Sequence, residues 1–266
     1  MSKRVIYLLV CCFSLPLLVL LLSAWMNLDG HRVDLDNVLS GMSATHLLGC
    51  DALGRDVLAR LAEGLRLSLF VGVVVVSLGA CFGITLGILS AWYGGWVDIC
   101  LMRMADVLLS FPGILLAIAL AAMLGSGVDN LILALVVVGW VGFARLSRVQ
   151  VLSLKHASFV EAARVNGMPL PYIMIRHLLP NIAAPLLVEA SFGLAAVMIA
   201  EAGLSFLGIG VQPPNASLGT MIKEGTSLML VQPSLVIFPG LMLFLIVMAV
   251  NLLGDALRDH LDVKHT

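Results

Sequence analysis

The chain has 266 residues, of which 61% are hydrophobic and 12% charged, with a mean hydropathy of +1.07 and a formal net charge of −1. A soluble domain carries about 25% charged residues, so water is not the main solvent of this protein. The small net charge removes a general electrostatic case for nucleic acid or for a uniformly anionic partner.

A spanning helix needs roughly 20 mostly apolar residues to cross a hydrocarbon core of about 30 Å. The first such run lies at Val5–Met26, after the basic start Lys3-Arg4. It exceeds the usual signal-peptide core of about 7–15 residues and no A-x-A site follows, so it reads as a retained helix. Further runs follow near Leu67–Trp92, Leu101–Leu124, Leu131–Val151, Ala183–Leu207 and Leu235–Leu253. The expected fold is therefore all-α and membrane-integral, with about six transmembrane helices. The expected organisation is an N-terminal helix with an external segment (1–66), a five-helix core (67–254) and a cytoplasmic tail (255–266).

Cytoplasmic loops carry the excess of Lys and Arg. With the N-terminus inside, ten basic residues fall on internal segments and five (Arg32, Arg55, Arg60, Arg66, Lys223) on external ones, which favours both termini in the cytoplasm. In the external segment, Leu53, Val57, Leu58, Leu61 and Leu65 recur at steps of three and four. That spacing predicts a helix lying on the membrane surface or against a partner.

The five cysteines show no CxxC pair and no zinc-type His spacing, and they read as small buried apolar residues. Cys50 alone falls in a polar external stretch, where a thiol is open to oxidation or to a soft metal, with the buried reading still leading. The six histidines are scattered, so no metal site is expected.

Between the fourth and fifth runs lies the most basic loop, SLKHASFVEAARVNGMPLPYIMIRHLLPN. Phe159, Ala162, Ala163 and Val165 sit near helical spacing, Glu161 and Arg164 share an i, i+3 face, and Gly167, Pro169 and Pro171 end the helix. A second short helix is expected to end at Leu179-Pro180. A helix fixed below the membrane by such a break suits docking into a groove on a soluble partner. A plain connecting loop is the other reading.

Glu161-Ala162-Ala163, Gly167 and Leu179-Pro180 resemble the EAA signature of membrane subunits of ATP-binding-cassette importers. His177 stands where that signature usually has isoleucine. The stretch His46–Leu58, with Gly49-Cys50-Asp51 and Gly54-Arg55-Asp56, resembles the GTDxxGRD segment of C-type permeases in the dipeptide, oligopeptide and nickel branch. Cys50 replaces the usual threonine, and Leu218 replaces the aromatic residue that commonly precedes Gly219. Tyr93–Asp98, Ser205–Gly208, Val211–Pro214 and Asn251–Asp255 extend the likeness over nearly the whole chain.

The resemblance implies a heteromer in the inner membrane of a bacterium, surrounded by lipid and binding no nucleic acid. Its parts would be this subunit, a homologous second permease, two ATPase subunits and an extracytoplasmic solute-binding protein. Residues from Phe159 to Leu170 would form a cytoplasmic coupling helix seated on an ATPase, with Glu161 and Arg164 as polar contacts and Gly167 fixing its angle. ATP and Mg would be bound by the partner subunits, and this chain, which contains no G-x-x-x-x-G-K-[ST] loop, would carry no cofactor and no enzymatic activity.

Glu189 and Glu201 fall in the fifth run, where a carboxylate is costly enough to face a cavity or a partner. Both are candidate pathway residues, with Glu189 expected to pair with Arg145 or Arg148. Arg103 and Asp106 are expected to form a local pair. Di- and oligopeptides lead as cargo, nickel or a metal chelate follows, and glutathione, opine-like or sugar cargo comes after. An ion-gradient carrier would show similar spans but has no use for an EAA segment, and a membrane enzyme would need a nucleophile–base set or H-E-x-x-H, neither of which is present.

Overall fold

In a computed structural model, the structure describes residues 3–26 and 28–262, with side chains for 12–26 and 28–261. Ten α-helices occur among the described residues, in the order α1 (Lys3–Trp25), α2 (Val57–Tyr93), α3 (Gly95–Leu109), α4 (Gly113–Leu124), α5 (Val128–Leu154), α6 (Ser158–Val165), α7 (Leu170–Ile173), α8 (Leu179–Phe206), α9 (Leu218–Thr226) and α10 (Ser234–Asp262). Four helices are long and apolar enough to cross a membrane: α2, α5, the continuous helix Leu170–Phe206 and α10. The bent pair of α3 with α4 reaches that length and apolarity only when its two helices are taken together. The 23-residue α1, whose described apolar part is Cys12–Trp25, packs on α10 and α2.

Several boundaries differ from expectation. The separate surface helix within 53–65 does not exist: α2 starts at Val57, capped by the Asp56 carboxylate on the Ala59 N–H at 2.9 Å, and runs unbroken through position 66 for 37 residues. Val57, Leu58, Leu61 and Leu65 are its buried first turns, while Leu53 lies in the preceding loop and is exposed. Their three-and-four spacing therefore marks a core face at the end of a long spanning helix. At the other end, α10 continues through Gly254 as far as Asp262, so positions 255–262 extend the last helix.

The third apolar run is bent by 88° between Leu109 and Gly113. Pro112 lacks an N–H and disfavours helical geometry at Phe111, so the ladder stops there. Two arginine–aspartate pairs tie α3 to α5: Arg148 donates to Asp98 through Nε at 2.5 Å and Nη2 at 2.6 Å, and Arg145 to Asp106 at 2.5 Å.

The helix expected to end at Leu179-Pro180 passes through both residues. A π-helical turn, Met174–Leu178, joins α7 to α8, and the Leu179 N–H reaches back to the Met174 carbonyl. The widened turn accommodates Pro180 near the start of α8, where a missing N–H does no harm.

Helices α2 and α5 share the most extensive helix–helix contact of the described residues. A Cβ on Gly83 would stand 2.3 Å from the Trp140 carbonyl oxygen and 2.8 Å from Phe143 Cβ, and one on Gly87 2.0 Å from Ser147 Oγ and 2.3 Å from the Ala144 carbonyl oxygen. Gly79, Gly83 and Gly87 thus form a four-residue ladder that lets two backbones approach, as membrane helices do where no hydrophobic drive separates them from lipid.

Apolar clusters close the two ends. At one end, Val57, Leu61, Leu65, Leu218, Met221 and Leu235 join α2, α9 and α10. At the other, Ile88, Val151, Val160, Ala163, Ile173 and Ile182 join α2, α5, α6, α7 and α8. Gly87→Leu should destabilise the fold by about 3 kcal/mol or more, because the obstructing atoms include backbone that cannot yield. Thermal unfolding in detergent checks this, with Gly240→Ala, which meets nothing within 4 Å, melting as the unsubstituted chain does.

Candidate functional site

The segment singled out by sequence forms a compact body at the ends of α2, α5 and α8. Val160 and Ala163 of α6 are buried against Ile88, Val151 and Ile173. The helix ends at Val165, and Gly167 adopts φ +71°, a left-handed turn that glycine enters without strain. His177, in place of the signature isoleucine, lies 6.3 Å from the Phe159 ring and 6.0 Å from the Tyr172 ring, so it bridges α6 to the helix that follows. Leu179 is half-buried and Pro180 exposed.

Glu161 and Arg164 do not act as a pair. Glu161 points outward, with its side chain 58% exposed. Arg164 turns back and stacks its guanidinium 4.0 Å from the centre of the Trp92 ring, at the end of α2. Phe159, Ala162 and Val165 of α6 and Met168 in the turn after it are uncovered, and Val165 is 88% exposed. The outward surface therefore carries an apolar patch beside the Glu161 carboxylate, with Ser158, Asn166 and Arg164 also exposed, and the Arg164 guanidinium reaches the Trp92 ring.

The two membrane carboxylates have different surroundings. Glu201 is fully enclosed: Ser68 Oγ of α2 donates to its Oε2 at 2.7 Å and Ser205 Oγ to its Oε1 at 2.8 Å. That makes it a tie between α2 and α8. Glu189 is half-buried and lines a cavity of about 530 Å³ with Gln150, Asn181 and Arg258. It pairs with neither Arg145 nor Arg148, which are taken by Asp106 and Asp98. The local Arg103–Asp106 contact exists, but at 4.0 Å it is the longer of the two that Asp106 makes.

At the opposite end, Asp51, Arg55 and Asp56 form a buried ionic knot. Asp51 Oδ2 accepts from Arg55 Nε at 2.7 Å and from Arg60 Nη1 at 2.6 Å, and Arg60 Nη1 also donates to Glu224 of α9 at 2.7 Å. His46 Nδ1 meets Asp56 Oδ2 at 2.8 Å. Gly54, at φ +72°, passes so close to Asp34 that a Cβ would stand 1.7 Å from its carbonyl oxygen. Cys50 is fully buried inside this knot, and burial pushes its thiol up, away from the reactive thiolate. Burial also pushes the Asp51 carboxyl up, but the Leu53 and Arg55 N–H groups and the charges of Arg60 and Arg55 outweigh it and hold the group below its ordinary value.

The sequence reading passed over two features, the glycine ladder and Arg60 with Glu224. The ladder was visible as glycines at four-residue spacing in an apolar run. The pairing of Arg60 with Glu224, 164 residues apart, has no local signal.

Residues 83–264 match the family described as binding-protein-dependent transport system inner membrane component. The chain belongs to that family. It is 45% identical over 231 residues to the glutathione transport system permease protein GsiD of Pectobacterium atrosepticum, covering 87% of this chain and 77% of that one. The GsiD of Escherichia coli O157:H7 is equally similar, with 76% of its length covered. The fold matches inward-facing structures of the MetNI methionine ABC transporter (TM-score 0.60, 19% identity, 75% of this chain and 95% of that one). It also matches an amino acid ABC transporter crystallised with histidines (TM-score 0.54, 14% identity, 76% and 94%). This member of the binding-protein-dependent family is thus a multi-pass permease subunit of an ABC transporter.

Two outcomes follow. Asp51→Asn leaves Arg60 short of one partner and should lower stability by about 3 kcal/mol, read by thermal unfolding in detergent. Because the folded-state Asp51 is depressed, its contribution is present above the unfolded value of about 3.9 and lost as pH falls through the folded one. The melting temperature should accordingly drop below about pH 4 in the unsubstituted chain and drop less in Asp51→Asn.

Proposed function

We propose that this permease forms half of the translocation pathway for di- and oligopeptides, glutathione among them, and that α6 is its coupling helix. The observation that carries the coupling reading is the uncovered apolar patch of Phe159, Ala162 and Val165, with Met168 in the turn after them, beside Glu161 on a helix whose other face is fixed to α2, α5 and α7. In a membrane subunit built from helices, a short apolar face at an exposed helix tip is suited to a groove on a soluble partner. The 45% identity to glutathione permeases supports peptide cargo over nickel or a metal chelate.

The assembly read from family membership contains this chain, a homologous second permease, two ATPase subunits that bind ATP and Mg, and an extracytoplasmic solute-binding protein. Both termini and α6 lie on the cytoplasmic side in this reading, in agreement with the ten-to-five distribution of basic residues. Closure of the ATPase pair would move α6, and the stacking of Arg164 on Trp92 would pass that displacement to the end of α2. Leu179 and Pro180 would carry it into α8 through the unbroken helix.

Co-expression with the neighbouring transporter genes and purification in detergent tests the docking. An ATPase subunit should co-elute with the unsubstituted chain. It should be lost from Gly167→Asp, whose left-handed turn no longer suits the residue, and weakened in Glu161→Ala. Equal co-elution with both variants would remove the docking reading. Trp92→Ala should keep the ATPase bound yet reduce ATP-driven peptide uptake in proteoliposomes by about fivefold, since a cation–π contact of about 1 kcal/mol is lost at the seam.

A further inference from the structure

We propose that the cavity bordered by α5, α8 and α10 at their α6 ends is a cargo subsite in which Glu189 receives the cationic amino group of a peptide. This rests on the peptide reading above and adds to it the group of the cargo that is recognised and the residue that recognises it.

Glu189 lies midway along one of the long apolar helices and is half-buried. Among the described residues it has no hydrogen-bond or ion-pair partner, and the arginines expected to neutralise it are occupied by aspartates on α3. An unpaired carboxylate on a spanning helix is unfavourable to keep, unlike Glu201, which two serine hydroxyls satisfy. A partner that arrives and leaves resolves the difference.

The space beside Glu189 is of ligand size, about 530 Å³, within the usual range of about 300–1,000 Å³. Its polar wall combines the Glu189 carboxylate with the Gln150 and Asn181 amides and, on the α10 side, the Arg258 guanidinium, which has a partner of its own. The Gln150 side chain makes no hydrogen bond among the described residues, and Asn181 donates through Nδ2 to the His177 carbonyl at 2.6 Å, which leaves its amide oxygen facing out as an acceptor. The unpaired Glu189 carboxylate, beside two amide oxygens that can accept, suits an ammonium group, which carries three donors and no acceptor, while Arg258 is engaged with a partner of its own. Gly142 on α5 keeps the room for it, since a Cβ there would stand 2.6 Å from Glu189 Oε1. A bound metal ion is the poorer fit, because no group of three metal-ligating side chains occurs among the described residues. Pro185, Leu146 and Leu154 supply apolar wall for side chains of varied shape.

The complete transporter tests this, reconstituted in proteoliposomes with ATP inside and the solute-binding protein outside, with radiolabelled glutathione and trialanine as probes. Glu189→Gln should lower uptake by about tenfold or more, the effect of losing one charged hydrogen bond. Glu189→Asp, which keeps the charge, should stay within about threefold of the unsubstituted transporter. The number of ATP molecules hydrolysed per peptide delivered should rise with Glu189→Gln by the same factor as uptake falls. Uptake by Glu189→Gln within about twofold of normal overturns the proposal. So does failure of that variant to retain the second permease during purification, which would assign Glu189 to subunit pairing. If the unsubstituted transporter takes up neither probe, the peptide reading itself falls, a pattern distinct from normal uptake that is insensitive to Glu189.

Discussion

The glycine ladder Gly79-Gly83-Gly87 sets the distance between α2 and α5, and the rest of the structure is arranged around that contact. In lipid, apolar side chains gain little by leaving the bilayer for each other, so association depends on close approach and on matched polar groups. The ladder supplies the approach over the half of α2 nearest α6. In the other half, Gly72 meets Leu194 of α8 and Ser68 meets Glu201, so one 37-residue helix is held by glycine contacts to α5 and by a glycine and a serine to α8.

That arrangement makes α2 the element common to both ends. Its first turn is clamped by Asp51, Arg60 and Glu224 to the loop before it and to α9, and its last turn presents Trp92 to Arg164 of α6. A body held at both ends by specific pairs moves as a unit or not at all, as expected of packed interiors with few voids. In the proposed transport cycle, a displacement of α6 would therefore reach the opposite end of the bundle through α2, without any rearrangement of the ladder.

Much of this was legible from composition and local pattern. The apolar runs located the long helices, and Gly167 with the prolines after it ended α6 where expected. What failed failed for physical reasons. A three-and-four apolar spacing cannot tell a surface helix from the buried first turns of a longer one, so Val57–Leu65 looked separate from α2. Pro112 and Pro180 carry the same residue type with opposite results. Pro112 follows Ser110-Phe111 and breaks the run by 88°, whereas Pro180 is absorbed because a π-helical turn just before it widens the ladder. The charge pattern was also misleading at Arg164, whose i, i+3 relation to Glu161 is real in sequence but is overruled by an aromatic ring from another helix.

Several carboxylates follow a further rule that no local pattern shows. The buried Asp51 and Glu201, the half-buried Asp98 and the exposed Asp106 each meet a guanidinium or a hydroxyl from another element, and each of those contacts joins two segments of the fold. Burying charge in a membrane protein is unfavourable unless it is paired, so each satisfied carboxylate can be read as a structural tie. Glu189 departs from the rule while sitting beside a cavity of ligand size, on the helix that leads directly out of the α6 segment. In the proposed reading, a residue that breaks the pattern its neighbours obey is where a solute would supply the missing partner.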